Sequence, residues 1–124
     1  MNDLLLKATH STPRIEFFAT GDLSIGGSIY PEDAKEYFHP LMEWVMNLRI
    51  KKVNFIMRID YLNSTCAKKL FELLKRLRNN KYIDTINIKW YYQKDDEDGL
   101  ETGQLLSESL PEIHFDLLEY EKKN

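Results

Sequence analysis

Two hydrophobic rhythms alternate along this chain, one of period two and one of helical period, and they trade places several times. From Pro13, the stretch RIEFFATGDLSI predicts strand, turn, strand, with Ile15, Phe17, Leu23 and Ile25 as apolar faces and Gly21-Asp22 at the turn. Gly26-Gly27-Ser28 is expected to break the second strand. In YPEDAKEYFHPLMEWVMNL the period becomes helical: Ala34, Phe38, Leu41, Val45 and Leu48 recur on one face, with Tyr37 and Trp44 beside them. Pro31 suits the first helical position, with Glu32 and Asp33 at the positive end of the dipole. Pro40 lacks a backbone donor, which predicts a kink or two abutting helices.

KKVNFIMRIDYL predicts a central strand, because Ile56 lies between Phe55 and Met57 and both faces look apolar. NSTCAKKLFELLKRLRNN is a strong helix in which Ala67, Leu70, Leu74 and Leu77 make a stripe widened by Phe71 and Leu73. YIDTINIKWYY then alternates, with Ile86, Ile88, Trp90 and Tyr92 on one face. The acidic turn QKDDEDG leads to a short helix over 99–109, Pro111 ends it, and IHFDLLEY makes a last strand. The order β-β-α-β-α-β-α-β predicts an α/β (α+β) fold, a single-layer mixed sheet with helices packed against it. It is expected to form one domain over 1–124, with 1–12 a loosely ordered segment.

Composition narrows the function. A chain of 124 residues, 43% hydrophobic and 30% charged, buries a core without disulfides or metals. Its net charge of −3, with no long run of Lys or Arg, argues against a nucleic-acid binder. One cysteine allows no internal disulfide, and neither a signal peptide nor a membrane span is evident; the expected location is the cytoplasm.

Candidate chemistry concentrates at Asn63-Ser64-Thr65-Cys66, where a strand becomes a helix. A cap needs only one such residue, worth about 1 kcal/mol, and here two further hydroxyls and a thiol accompany it. A helix start carries positive partial charge and unpaired N–H donors, so a phosphate on Ser64 would be accommodated there. Cys66, in the first turn and near Lys69, raises the alternative of a thiol-based redox sensor, against the plainer reading of a small apolar side chain tucked against the sheet. A third reading is a small hydrolase using Ser64, which needs a nearby histidine. His10, His39 and His114 are scattered without metal-ligand spacing, and no Gly-x-Ser-x-Gly elbow or phosphate loop is present. Asp95-Asp96-Glu97-Asp98-Gly99 misses calcium-loop spacing by one position, which leaves a solvated turn ahead of the next helix. No cofactor or metal is called for.

Four blocks, in order, resemble the SiaC-type regulatory phosphoproteins of bacteria. They are Ser11-Thr12-Pro13, Gly26 to Ala34 (GGSIYPEDA), Tyr61-Leu62-Asn63-Ser64-Thr65-Cys66, and Trp90-Tyr91-Tyr92 followed by the acidic run. The family's junction reads Asn-Thr-Ser-Ser with its Thr phosphorylated, a position that falls on Ser64; Thr65 becomes a rival acceptor and Cys66 replaces the last Ser. The family's Pro-Glu-Asn appears as Pro-Glu-Asp. The resemblance implies a STAS-like fold and a non-enzymatic partner switch. A protein Ser/Thr kinase would phosphorylate Ser64, a metal-dependent phosphatase would reverse it, and the unmodified form would bind a target, in known members a diguanylate cyclase. Tyr61, Leu62, Asn63, Thr65 and Lys68 are the expected partner-binding residues.

Overall fold

A computed structural model describes residues 1–121. Its elements run β1 (Leu4–Leu6), β2 (Arg14–Phe17), β3 (Asp22–Ile29), α1 (Ala34–Met46), β4 (Lys52–Leu62), α2 (Ser64–Arg78), β5 (Thr85–Gln93), α3 (Glu97–Ser109) and β6 (His114–Tyr120). The expected mixed sheet is present. Its extra member is β1, inside the segment expected to be loosely ordered, where Leu4, Leu5 and Leu6 pair antiparallel with Phe17, Glu16 and Ile15. Three residues are too few to show a period, so the pairing was invisible in the sequence.

The six strands lie in chain order, β1-β2-β3-β4-β5-β6. The β1–β2 and β2–β3 pairs are antiparallel, and the three pairs from β3 to β6 are parallel. Each parallel pair needs a helical crossover. With crossovers of the usual hand advancing in one direction, α1, α2 and α3 all cover the same face. The burial of β4 agrees: Val53, Phe55, Met57 and Ile59 are buried, while Lys52, Asn54, Ile56, Arg58 and Asp60 are exposed. β4 is central, as expected, but only one of its faces is covered, and Ile56 remains 44% exposed on the open one. The core joins Phe17, Phe38, Phe55, Leu41, Leu70 and Leu74 under the helices. Phe17 meets Phe55 edge-on at 5.6 Å and Trp44 at 5.4 Å between centroids.

Three local expectations are corrected. Gly26-Gly27-Ser28 does not end its strand; β3 runs through it to Ile29, with Gly27 at φ 116 where a register shift demands it. Asp33 rather than Pro31 starts α1: its side chain accepts from the Glu36 N–H at 3.0 Å, as a favoured capping residue does. Finally, α1 is one continuous helix with Pro40 inside it. Pro40 lies on the exposed side, where water can satisfy the carbonyl that loses its donor.

Candidate functional site

β4 delivers the chain to the junction with an irregularity. Its register against β3 runs Gly27↔Ile59 and then Ser28↔Tyr61, so Asp60 has no partner on β3. Strict alternation would bury Tyr61 after Ile59. The extra residue reverses that: Tyr61 is 55% exposed and Leu62 turns half-buried toward the core.

Asn63 then sits in extended backbone (φ −77, ψ 166), and its side-chain oxygen accepts from the Cys66 N–H at 2.8 Å. Its carbonyl accepts from Ala67 at 2.9 Å, and its own N–H reaches the Ile29 carbonyl at 3.4 Å, tying the helix start to the end of β3. Because Asn63 is the cap, the next two hydroxyls are released from that task. Ser64 and Thr65 are exposed, as is Lys68 one turn on. Among the described residues neither hydroxyl makes a side-chain hydrogen bond.

Cys66 takes the opposite orientation. It is fully buried and free, and desolvation pushes its thiol above the ordinary value of 9.0. The first helical turn favours thiolate, but burial outweighs it, and Cys66 is the small apolar side chain tucked against the sheet that was the plainer reading of the sequence. Beside it lies Tyr37 of α1, whose hydroxyl is pushed up to about 12 by burial first and by Cys66 second. That hydroxyl is buried without a hydrogen-bond partner among the described residues. Among the described residues no histidine hydrogen-bonds the Ser64 hydroxyl: His39 pairs with Glu43 at 3.1 Å, His114 with Asp116 at 3.2 Å, and His10 packs edge-on to Tyr30.

Tertiary structure adds neighbours that sequence reasoning missed. Tyr30, at the end of β3, meets Tyr61 edge-on at 5.6 Å, and His10 meets Tyr30 at 6.0 Å. An exposed aromatic chain therefore runs beside the helix start; Tyr30 was already visible in the second sequence block, but only the parallel β3–β4 register brings it to the third. On the other side, a pocket of about 120 Å³ opens at the carboxyl ends of β4 and β5. Ile59, Leu62 and Trp90 line its apolar part, and Asp60, Tyr61, Asp98 and Thr102 its polar part. Trp90 donates to the Gly99 carbonyl at 2.9 Å, and Asp96 caps α3 by accepting from the Gly99 N–H at 3.0 Å. The helix thus begins at Glu97, two residues earlier than expected, because Asp96 caps it; the second half of the acidic run is its first turn rather than a solvated turn ahead of it. The described residues hold no group of three His, Cys, Asp or Glu placed for a metal ion.

The fold and this site define a class: a one-sheet α/β domain that presents free hydroxyls on a separately capped helix start, at the carboxyl ends of its parallel strands. The family model described as "SiaC family regulatory phosphoprotein" matches residues 6–120, and the chain belongs to that family. An uncharacterised protein of Pseudomonas aeruginosa (strain UCBPP-PA14) is 28% identical over 102 residues, 78% of this chain and 81% of that one. Among solved structures, diguanylate cyclase SiaD in complex with its activator SiaC, from the same species, matches with TM-score 0.82 at 24% identity, covering 95% of this chain and 100% of the matched one. Apo-SiaC of P. aeruginosa matches with TM-score 0.73 at 25% identity, covering 96% and 98%.

Proposed function

We propose that this chain is a non-enzymatic regulator whose unmodified form binds a target protein through the β4–α2 junction, and that phosphorylation of Ser64 releases it. The observation that carries this is the division of labour at the helix start: Asn63 holds the cap while Ser64, the first helical residue, remains exposed. A phosphate there would lie near the N–H groups of Ser64 and Thr65, which the cap leaves unused, and one turn from the Lys68 ammonium. It would add about −1.5 to −2 charges beside Tyr61, Tyr30 and Leu62, the surface a partner must desolvate. The added charge weakens that contact because its hydration has to be removed.

A protein Ser/Thr kinase and a metal-dependent phosphatase set the state of Ser64, with Thr65 the alternative acceptor. The target is a diguanylate cyclase; SiaC, the activator of SiaD, shares this fold and family. Tyr61, Leu62, Asn63, Thr65 and Lys68 form the contact surface, extended by Tyr30. Phosphotransfer to wild type, Ser64→Ala and Thr65→Ala by the family kinase tests the acceptor: Ser64→Ala should lose the label and Thr65→Ala should keep it. Full labelling of Ser64→Ala moves the assignment to another hydroxyl. In a binding assay with the cyclase, Ser64→Ala should bind and Ser64→Glu should not.

A further inference from the structure

Away from the junction, the loops at the amino ends of the parallel strands have the opposite charge character. The carboxyl ends carry Glu32, Asp33, Asp60 and the run Asp95 to Asp98; the amino ends carry Arg49, Lys51 and Lys52, with Arg76, Arg78 and Lys81 closing α2 onto them. Six of the 17 Lys and Arg thus sit at this end of the sheet, in a chain of net charge −3. Some of them are occupied: Lys51 pairs with Asp84 at 3.6 Å and Arg78 with Glu112 at 3.7 Å. Arg49, Arg76 and Lys81 have no carboxylate within 4.0 Å among the described residues.

These three cations share one groove of about 310 Å³ between the ends of α1 and α2, together with Met46 and Tyr82. The groove is held open by structure rather than by chance side-chain placement. Asn80 is the buried polar residue beneath it, donating at 2.9 Å to the carbonyls of both Val45 and Leu48 and accepting from the Tyr82 N–H at 3.0 Å. Arg49 lies over the Tyr82 ring at 4.1 Å while one nitrogen caps the carbonyls of Met46 and Leu48. The Arg76 guanidinium donates to the Met46 sulfur at 3.5 Å and to no other side chain among the described residues. The dipole of α2 accounts for a cation in its last turn; it does not account for Lys81 and a stacked Arg49 converging on the same groove.

We propose that this groove docks an acidic segment of a protein partner, one in which aspartate or glutamate alternates with aliphatic side chains. The free guanidinium edge of Arg76 and the Lys81 ammonium take the carboxylates. Met46 and Tyr82, 45% and 57% exposed, offer apolar contact beside them, which a phosphate ion would leave unused. A nucleic acid fits worse, since a phosphodiester backbone extending past Lys81 and Tyr82 meets Asp84. The site lies at the pole opposite Ser64, so it is independent of the switch: a partner anchored here stays attached while the junction lets go.

Titration of the ¹⁵N-labelled full chain with a synthetic Asp-Leu-Glu-Asp-Leu-Glu peptide tests this. Saturable shifts are expected at residues 46–49 and 76–82, and the Arg76→Gln/Lys81→Gln chain should bind about fivefold more weakly, as loss of two partly solvated ion pairs implies. The charge-conserving Arg76→Lys/Lys81→Arg chain should retain binding, and Ser64→Glu should leave it unchanged. Equal shifts from the Asn/Gln analogue of the peptide would overturn the proposal, as would no shifts at the groove. Tighter binding of inorganic phosphate or of a short duplex oligonucleotide to the same residues would overturn it in favour of an anion or nucleic-acid site.

Discussion

At the start of α2 the Asn63 carboxamide accepts the Cys66 N–H at 2.8 Å, and the two hydroxyls that follow face water. Asn63→Ala should therefore lower unfolding stability by about 1 kcal/mol, while Ser64→Ala should leave it within about 0.5 kcal/mol; urea titrations of both chains check the contrast. An equal loss from both would mean that Ser64 shares the cap. Tyr37 makes a second prediction. Burial raises its phenol from 10.0 to about 12, so the fold disfavours the phenolate and stability falls as pH rises from 10 through 12. Tyr37→Phe should flatten the stability profile in that window. At neutral pH it should also gain about 1 kcal/mol, because it removes a buried hydroxyl without a partner. Both hydroxyls and the thiol were legible as a cluster in the sequence. Which of them faced out was not, because the side a residue takes in a first helical turn depends on how the preceding strand arrives.

That arrival is an element-scale property. Alternation along KVNFIMRI identified β4 and its buried residues correctly, yet it would have buried Tyr61; the unpaired Asp60 alone turns it outward. A register irregularity of one residue leaves no mark on composition or period, since both sequences of faces contain the same residues. A similar limit holds for α3, whose approach to the sheet depends on Gly103. A methyl there would stand 2.6 Å from Trp90 and 2.8 Å from Leu117. Alanine favours a helix by about 1 kcal/mol over glycine, but overpacking of this kind costs about 1–3 kcal/mol. Gly103→Ala should thus destabilise, with a changed Trp90 fluorescence as α3 lifts from the pocket it borders. A rise in melting temperature would show that α3 is not held this closely.

For the whole molecule, six strands in chain order with helices on one side leave a sheet with one open face and two edges. β1 forms one edge, and Trp44 in α1 donates its indole N–H to the Asn2 carbonyl at 2.8 Å, fastening the amino terminus across the hydrophobic layer. Deleting residues 1–7 should lower the melting temperature by several degrees and shift Trp44 emission to the red, since both the strand and that hydrogen bond go. Unchanged emission would mean that Trp44 keeps its environment without the segment. No described helix is long and apolar enough to cross a membrane.

The hydrophobic rhythms alone determined the two antiparallel strands after Pro13, the three helices, the parallel strands between them and the cluster at 63–66, because period and capping are local consequences of residue type. Four blocks of residues sufficed to point to the family. Tertiary structure decided what depends on which strands become neighbours: the pairing of Leu4–Leu6, the exposure of Tyr61, the approach of Tyr30 and His10, the burial of Cys66 beside Tyr37, and the convergence of Arg49, Arg76 and Lys81 on one groove. Those are long-range facts. They arise from register and from the single face that same-handed crossovers cover, and no window of sequence contains both partners of such a contact.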